Sequence, residues 1–90
     1  MFKTLEELIA TIRQRKGSSS KESYTKKLLN DKNLSVEKLK EEVAELIDAI
    51  EKNTNKVHEA ADVLYHLMVL LEINDIKIED VMDELKKRQK

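Results

Sequence analysis

Apolar residues recur three and four positions apart along most of the chain, the spacing of one helix face rather than the alternation of a strand. Leu5, Leu8, Ile9 and Ile12 mark a first helix over about Leu5 to Arg15. Lys16 to Lys21, with Gly17 and three serines, predicts a mobile loop. A short helix follows from about Ser23 to Asn30 with Ser23 as its N-cap, and Asp31 to Leu34 reads as a connector. Val36, Leu39, Val43, Leu46, Ile47 and Ile50 form the stripe of a third helix over Val36 to Lys52, capped by Ser35. Asn53 to Asn55 is a turn. A fourth helix spans Lys56 to Ile73, and a fifth spans Ile78 to Arg88 with Val81, Met82 and Leu85 inward.

The fourth helix departs from the usual two-faced pattern. Val57, Ala60, Ala61, Val63, Leu64, Leu67, Met68, Val69, Leu70 and Leu71 cover most of its circumference. A helix apolar nearly all round is buried on several sides. A single chain of 90 residues has few helices to surround it. The expected fold is therefore all-α: a five-helix chain whose central helices form a bundle completed by a second subunit, in a homodimer or higher homo-oligomer. A monomeric bundle with this helix at its centre is the other arrangement the pattern allows.

Composition narrows the picture. The length fits one domain over residues 1–90. A domain this small buries only about 60% of its unfolded surface and needs a partner, a metal or a staple. Cysteine is absent, which removes disulfides and thiolate metal sites. There is no proline and one glycine, so helix breakers are nearly missing. Charged residues make up 39% of the chain, yet the net charge is only -1. That balance argues against a nucleic-acid or membrane-surface binder. Met1 to Ala10 carries Lys3, Glu6 and Glu7 and no apolar run of signal length, so a cytoplasmic protein is expected.

The candidate chemistry is acidic. Glu59 and Asp62 lie three apart on the apolar fourth helix, within a narrow stripe shared with His66. Carboxylates beside that much apolar surface are costly without a compensating cation. Glu42 and Glu45 offer a matching pair on the third helix. Alone they look like any solvated helical face, with Lys38 and Lys40 as surface partners. The short turn makes the two helices antiparallel neighbours, but the two pairs lie at unequal distances from it, so their match in height is loose. Four oxygen donors suit Mg²⁺, or Mn²⁺ in its place. His66 alone reads as a core histidine, and His58 as a surface residue near a helix start.

Glu41-Glu42-x-x-Glu45, thirteen intervening residues, then Glu59-x-x-Asp62 resembles the signature of the all-α nucleoside triphosphate pyrophosphohydrolase superfamily. Within it the chain looks most like the phosphoribosyl-ATP pyrophosphatase family of histidine biosynthesis. Ser23 to Leu29 resembles that family's Ser-Tyr-Thr-x-x-Leu segment, Glu59 to Leu67 its metal helix, and Asp80 to Leu85 with Arg88 its C-terminal helix. The chain departs from the pattern at Lys40, where the family usually has glycine, at His58, where it usually has glutamate, and in lacking a proline before Ser23.

The resemblance implies hydrolysis of phosphoribosyl-ATP to phosphoribosyl-AMP and pyrophosphate. Glu42, Glu45, Glu59 and Asp62 would hold the metal, and Glu41 or Glu42 would position the attacking water. It implies substrate contacts from Ser23, Tyr24, Thr25, Lys26, Lys27, Lys38 and Arg88, though each cation also reads as an ordinary solvated charge. Tyr65 and His66 would steady the carboxylates. Two alternatives stay open: a house-cleaning nucleoside triphosphate pyrophosphohydrolase of the same superfamily, and a non-enzymatic helical interaction module.

Overall fold

A computed structural model describes residues 1–17 and 23–89. Those residues form five helices and no strand: α1 (Lys3–Gly17), α2 (Tyr24–Leu29), α3 (Lys32–Lys52), α4 (Lys56–Ile73) and α5 (Ile78–Arg88). No helix among them is long and apolar enough to cross a membrane. The expected boundaries of α4 and α5 hold. α1 begins two residues earlier than expected and runs through Lys16 and Gly17; the rest of the loop expected there lies outside the described residues.

The start of α3 corrects the expectation most. Asp31, not Ser35, is the cap. Its side chain accepts a hydrogen bond from the Leu34 N–H at 3.0 Å, and its carbonyl accepts from the Ser35 N–H at 3.0 Å. The segment expected as a connector is thus the first turn of α3. The preceding Asn30 N–H already donates to the Lys26 carbonyl, so α2 and α3 adjoin with almost no linker. Ser35 sits inside the helix, fully buried, with its hydroxyl unpaired. Ser23 caps α2 as expected, accepting from the Lys26 N–H at 3.1 Å.

Two left-handed residues shape the reversal between α3 and α4: Asn53 at φ 57° and Asn55 at φ 44°. Asparagine tolerates this region better than most residues. The Thr54 N–H reaches back to the Ala49 carbonyl at 2.9 Å and the Asn53 N–H to Ile50 at 3.3 Å, a Schellman closure. Asp75, at φ 56°, ends α4 the same way, with the Ile76 N–H on the Leu71 carbonyl at 2.9 Å. The resulting α3–α4 hairpin carries most of the contact between helices, and α1 and α2 pack across α4.

The buried centre is Ile12, Leu28, Met68 and Val69, where α1, α2 and the C-terminal half of α4 meet. Along α3 only part of the expected stripe is covered. Val36, Leu39 and Leu46 are half-buried, whereas Val43, Ile47 and Ile50 are exposed, as are Val57 and Leu64 on α4. On α5, Val81 is half-buried but Met82 and Leu85 face solvent, because this helix has only sparse contact with the rest of the chain.

Candidate functional site

The hairpin brings the acids together. Oxygens of Glu42 and Glu45 on α3 and Glu59 on α4 lie within 4.8 Å of one another. Glu59 also belongs to a second group of the same span with His58 and Asp62. Antiparallel order sets Glu45 against Glu59 near the turn, while the charge of Asp62 acts on Glu42 one turn further away. The carboxylates thus meet despite the mismatch in height that chain position suggests.

The cluster is electrostatically incomplete. Burial pushes the Glu42 carboxyl above its ordinary range, and the adjoining Glu45 and Asp62 add to it while His66 opposes. Glu59 is raised by burial as well, then by Glu45, against His58. One oxygen of Glu42 and one of Glu59 are shut off from water with no hydrogen-bond partner among the described residues. Buried carboxylate oxygens are normally paired, and like-charged neighbours deepen the deficit. A cation held by Glu42, Glu45 and Glu59 would supply the missing partner, so that donor set fits a hard divalent metal. Glu59 lies in the first turn of α4, where the helix dipole also favours negative charge.

His58 is exposed, as expected, and places Nε2 3.4 Å from Asp62 Oδ2. The four-residue spacing between them on one helix was the signal for this contact. Behind the acids, α2 is tied to α4 through four side chains. Tyr24 Oη lies 3.0 Å from His66 Nε2, and Thr25 Oγ1 lies 2.5 Å from Tyr65 Oη. His66 Nδ1 donates to the Asp62 carbonyl at 2.8 Å. The Tyr24 and Tyr65 rings stack at 6.3 Å, and His66 meets both edge-on. Tyr65 and His66, on α4 itself, thus join that helix to α2 one turn beyond Asp62.

The cations divide. Lys38 pairs with Glu41 at 3.5 Å, and its charge reaches Tyr24. Lys27 and Ser23 line an open groove of about 580 Å³ with Tyr24, Lys26, Asn30 and Asp31. Lys26 Nζ donates to the Arg15 and Lys16 carbonyls at 3.3 and 3.5 Å, capping the C-terminus of α1. Arg88 bonds Glu84 on α5 at 3.0 Å and stands outside the group that the hairpin and α2 assemble. A second groove of about 460 Å³ runs beside the acids, lined by Glu41, Ala44, Glu45, Asp48, Ala49, Thr54, Asn55 and Glu59.

Comparison with known proteins gives the family. The family model described as phosphoribosyl-ATP pyrophosphohydrolase matches residues 5–89. The phosphoribosyl-ATP pyrophosphatase of a Caulobacter strain is 43% identical over 99% of this chain and 85% of its own length. That of Haloarcula marismortui is 40% identical over 94% of this chain and 92% of its own. The histidine biosynthesis bifunctional protein HisIE of Pyrococcus furiosus is 42% identical over 96% of this chain, which spans 41% of that longer protein. With the match running through α1 to α5 and both halves of the acidic cluster, the chain belongs to the phosphoribosyl-ATP pyrophosphohydrolase family.

Proposed function

We propose that this chain hydrolyses phosphoribosyl-ATP to phosphoribosyl-AMP and pyrophosphate, the reaction for which its relatives are named, at the acidic cluster of the α3–α4 hairpin. The observation that carries the reading is the pair of buried oxygens on Glu42 and Glu59 that have no hydrogen-bond partner among the described residues, in two groups that share Glu59: Glu42 with Glu45, and His58 with Asp62. Glu42, Glu45, Glu59 and Asp62 would hold Mg²⁺, with Mn²⁺ as a substitute. Bound there, the cation supplies neutralisation of polyphosphate charge and a nucleophile at neutral pH.

The chain's own groups do the positioning on which phosphoryl transfer chiefly depends. Glu41 lines the open groove and pairs with Lys38 at 3.5 Å, so it suits the attacking water better than Glu42, which is turned into the cluster. Lys38, beside Glu41, and Lys27, on the groove of α2, would meet the phosphates; Lys26 is engaged on α1. Tyr65 and His66 hold α4 in register with α2. Exposed Val43, Ile47, Ile50, Val57 and Leu64 along the hairpin support a second copy covering this face. Such a partner is also the route by which Arg88 would reach a site.

Pyrophosphate release from phosphoribosyl-ATP, with and without Mg²⁺, tests the proposal. Release should require the metal and fall at least about a hundredfold in Glu59→Gln. Mg²⁺ should raise the melting temperature of the unaltered chain but not of that variant. Absence of release under either condition rejects the reading, and comparable turnover of common nucleoside triphosphates would replace it with a broader pyrophosphohydrolase.

A further inference from the structure

Far from the acids, α5 carries an apolar face that this chain leaves uncovered. Ile78, Met82 and Leu85 recur at helical spacing. Ile78 packs at the edge of the core, while Met82 and Leu85 stay 49% and 48% exposed. The two-point Arg13–Glu79 bond anchors the first turn to α1, and the helix otherwise has only sparse contact with the rest of the described chain. An open groove of about 560 Å³ between α1 and α5 runs past Phe2, Leu5, Ile9, Ile78 and Met82. Charge is segregated along the same helix. Glu79, Asp80, Asp83 and Glu84 lie toward its start, and Lys86, Lys87 and Arg88 end it.

We propose that α5 is a self-association surface separate from the hairpin: it pairs antiparallel with α5 of another copy, and the Met82 and Leu85 of each enter the α1–α5 groove of the other. Charge selects this occupant and this direction. Antiparallel order sets the acidic half of each helix beside the basic end of the other and opposes the two helix dipoles. Parallel order sets acid on acid. Met82 lies near the middle of α5, so a two-fold axis passes beside it. It is both a wall of the groove and part of the face that fills it, the self-complementarity that an isologous contact requires. A helix of 11 residues is about 16 Å long and covers less than the about 800 Å² per partner of a stable interface. One α5 contact is therefore weak alone. Two of them, made at once between copies already joined through their hairpins, reinforce each other. The resulting assembly is a dimer of hairpin-linked dimers, which rests on the second copy placed against the hairpin above.

The chain has no cysteine, so one introduced thiol reports one contact. Helices packed about 8–10 Å apart bring their facing Cα atoms within disulfide reach. Met82→Cys should therefore close a disulfide between copies under mild oxidation, whereas Lys87→Cys, turned away from that face, should not. Equal cross-linking of both variants, or of neither, overturns the proposal. Sedimentation gives the second reading. The unaltered chain should run as a tetramer, and Met82→Lys with Leu85→Lys, at positions already half exposed and so tolerant of charge, should halve its mass. An unchanged mass leaves the face to a different protein or to α1 and overturns the proposal. A fall to monomer would put α5 inside the first interface and overturns it as well. Selective cross-linking in a chain whose Ile50→Lys, Val57→Lys form keeps its full mass would reject the hairpin pairing and leave the α5 assignment standing.

Discussion

Glu79 receives a two-point hydrogen bond from the Arg13 guanidinium, Nη1 to Oε2 at 3.0 Å and Nη2 to Oε1 at 2.7 Å, which holds its carboxyl down at about 2. Asp75 is lowered by Lys16 in the same manner. A folded-state value below the unfolded one, about 4.3 for glutamate, means stability present above that value and lost as pH falls toward 2. Glu42 and Glu59 run the other way. Their values are raised, so their ionisation burdens the metal-free fold as pH climbs past the ordinary carboxylate range. Thermal melts of metal-free Glu79→Gln between pH 5 and 2 should therefore show a shallower acid loss than the unaltered chain. An unchanged slope would mean that the exposed pair contributes nothing, the usual fate of surface salt bridges.

Cap chemistry decides where each helix begins, and two residues four apart separate prediction from structure at α3. Asp31→Ala removes a carboxylate that accepts from the Leu34 N–H and should destabilise the fold by about 1 kcal/mol in urea unfolding. Ser35→Ala deletes a buried hydroxyl without a partner and should be neutral or stabilising. The opposite ranking would restore Ser35 as the cap. Both residues are good caps in the sequence, and only the adjoining of α2 and α3, set by packing against α4, chooses between them. Elsewhere the sequence was readable because it carries its own punctuation: Asn53 and Asn55 close one hairpin end, and Asp75 the other. Glu59 and Asp62 were legible from their apolar helix. The meeting of Glu45 with Glu59 depends on how two helices cross, and the Tyr24–His66 bond joins residues 42 positions apart, so neither leaves a local trace.

For 90 residues a compact domain has a radius of gyration near 12 Å, and this chain has 14.2 Å with extents of 41 × 34 × 25 Å. Among the described residues the buried apolar side chains are five, Ile12, Leu28, Ala49, Met68 and Val69. The hairpin and α5 also leave large apolar side chains exposed, among them Val43, Ile47, Ile50, Val57, Leu64, Met82 and Leu85. Sedimentation should give a homo-oligomer at micromolar concentration, and Ile50→Lys with Val57→Lys should shift it to monomer and lower its melting temperature by several degrees. A monomer in the unaltered protein would contradict the second-subunit reading.

The α3–α4 hairpin has a last consequence, in the order of events during folding. Contacts between helices joined by a three-residue turn close with little loss of chain entropy, so they form before those that bring α1 across to α4. All four carboxylates lie on that hairpin, and their mutual repulsion is met on the way up the barrier rather than after it. A cation captured by the cluster would accordingly speed folding more than it slows unfolding. The groups proposed for hydrolysis would then also be those that set how fast the chain reaches its native state.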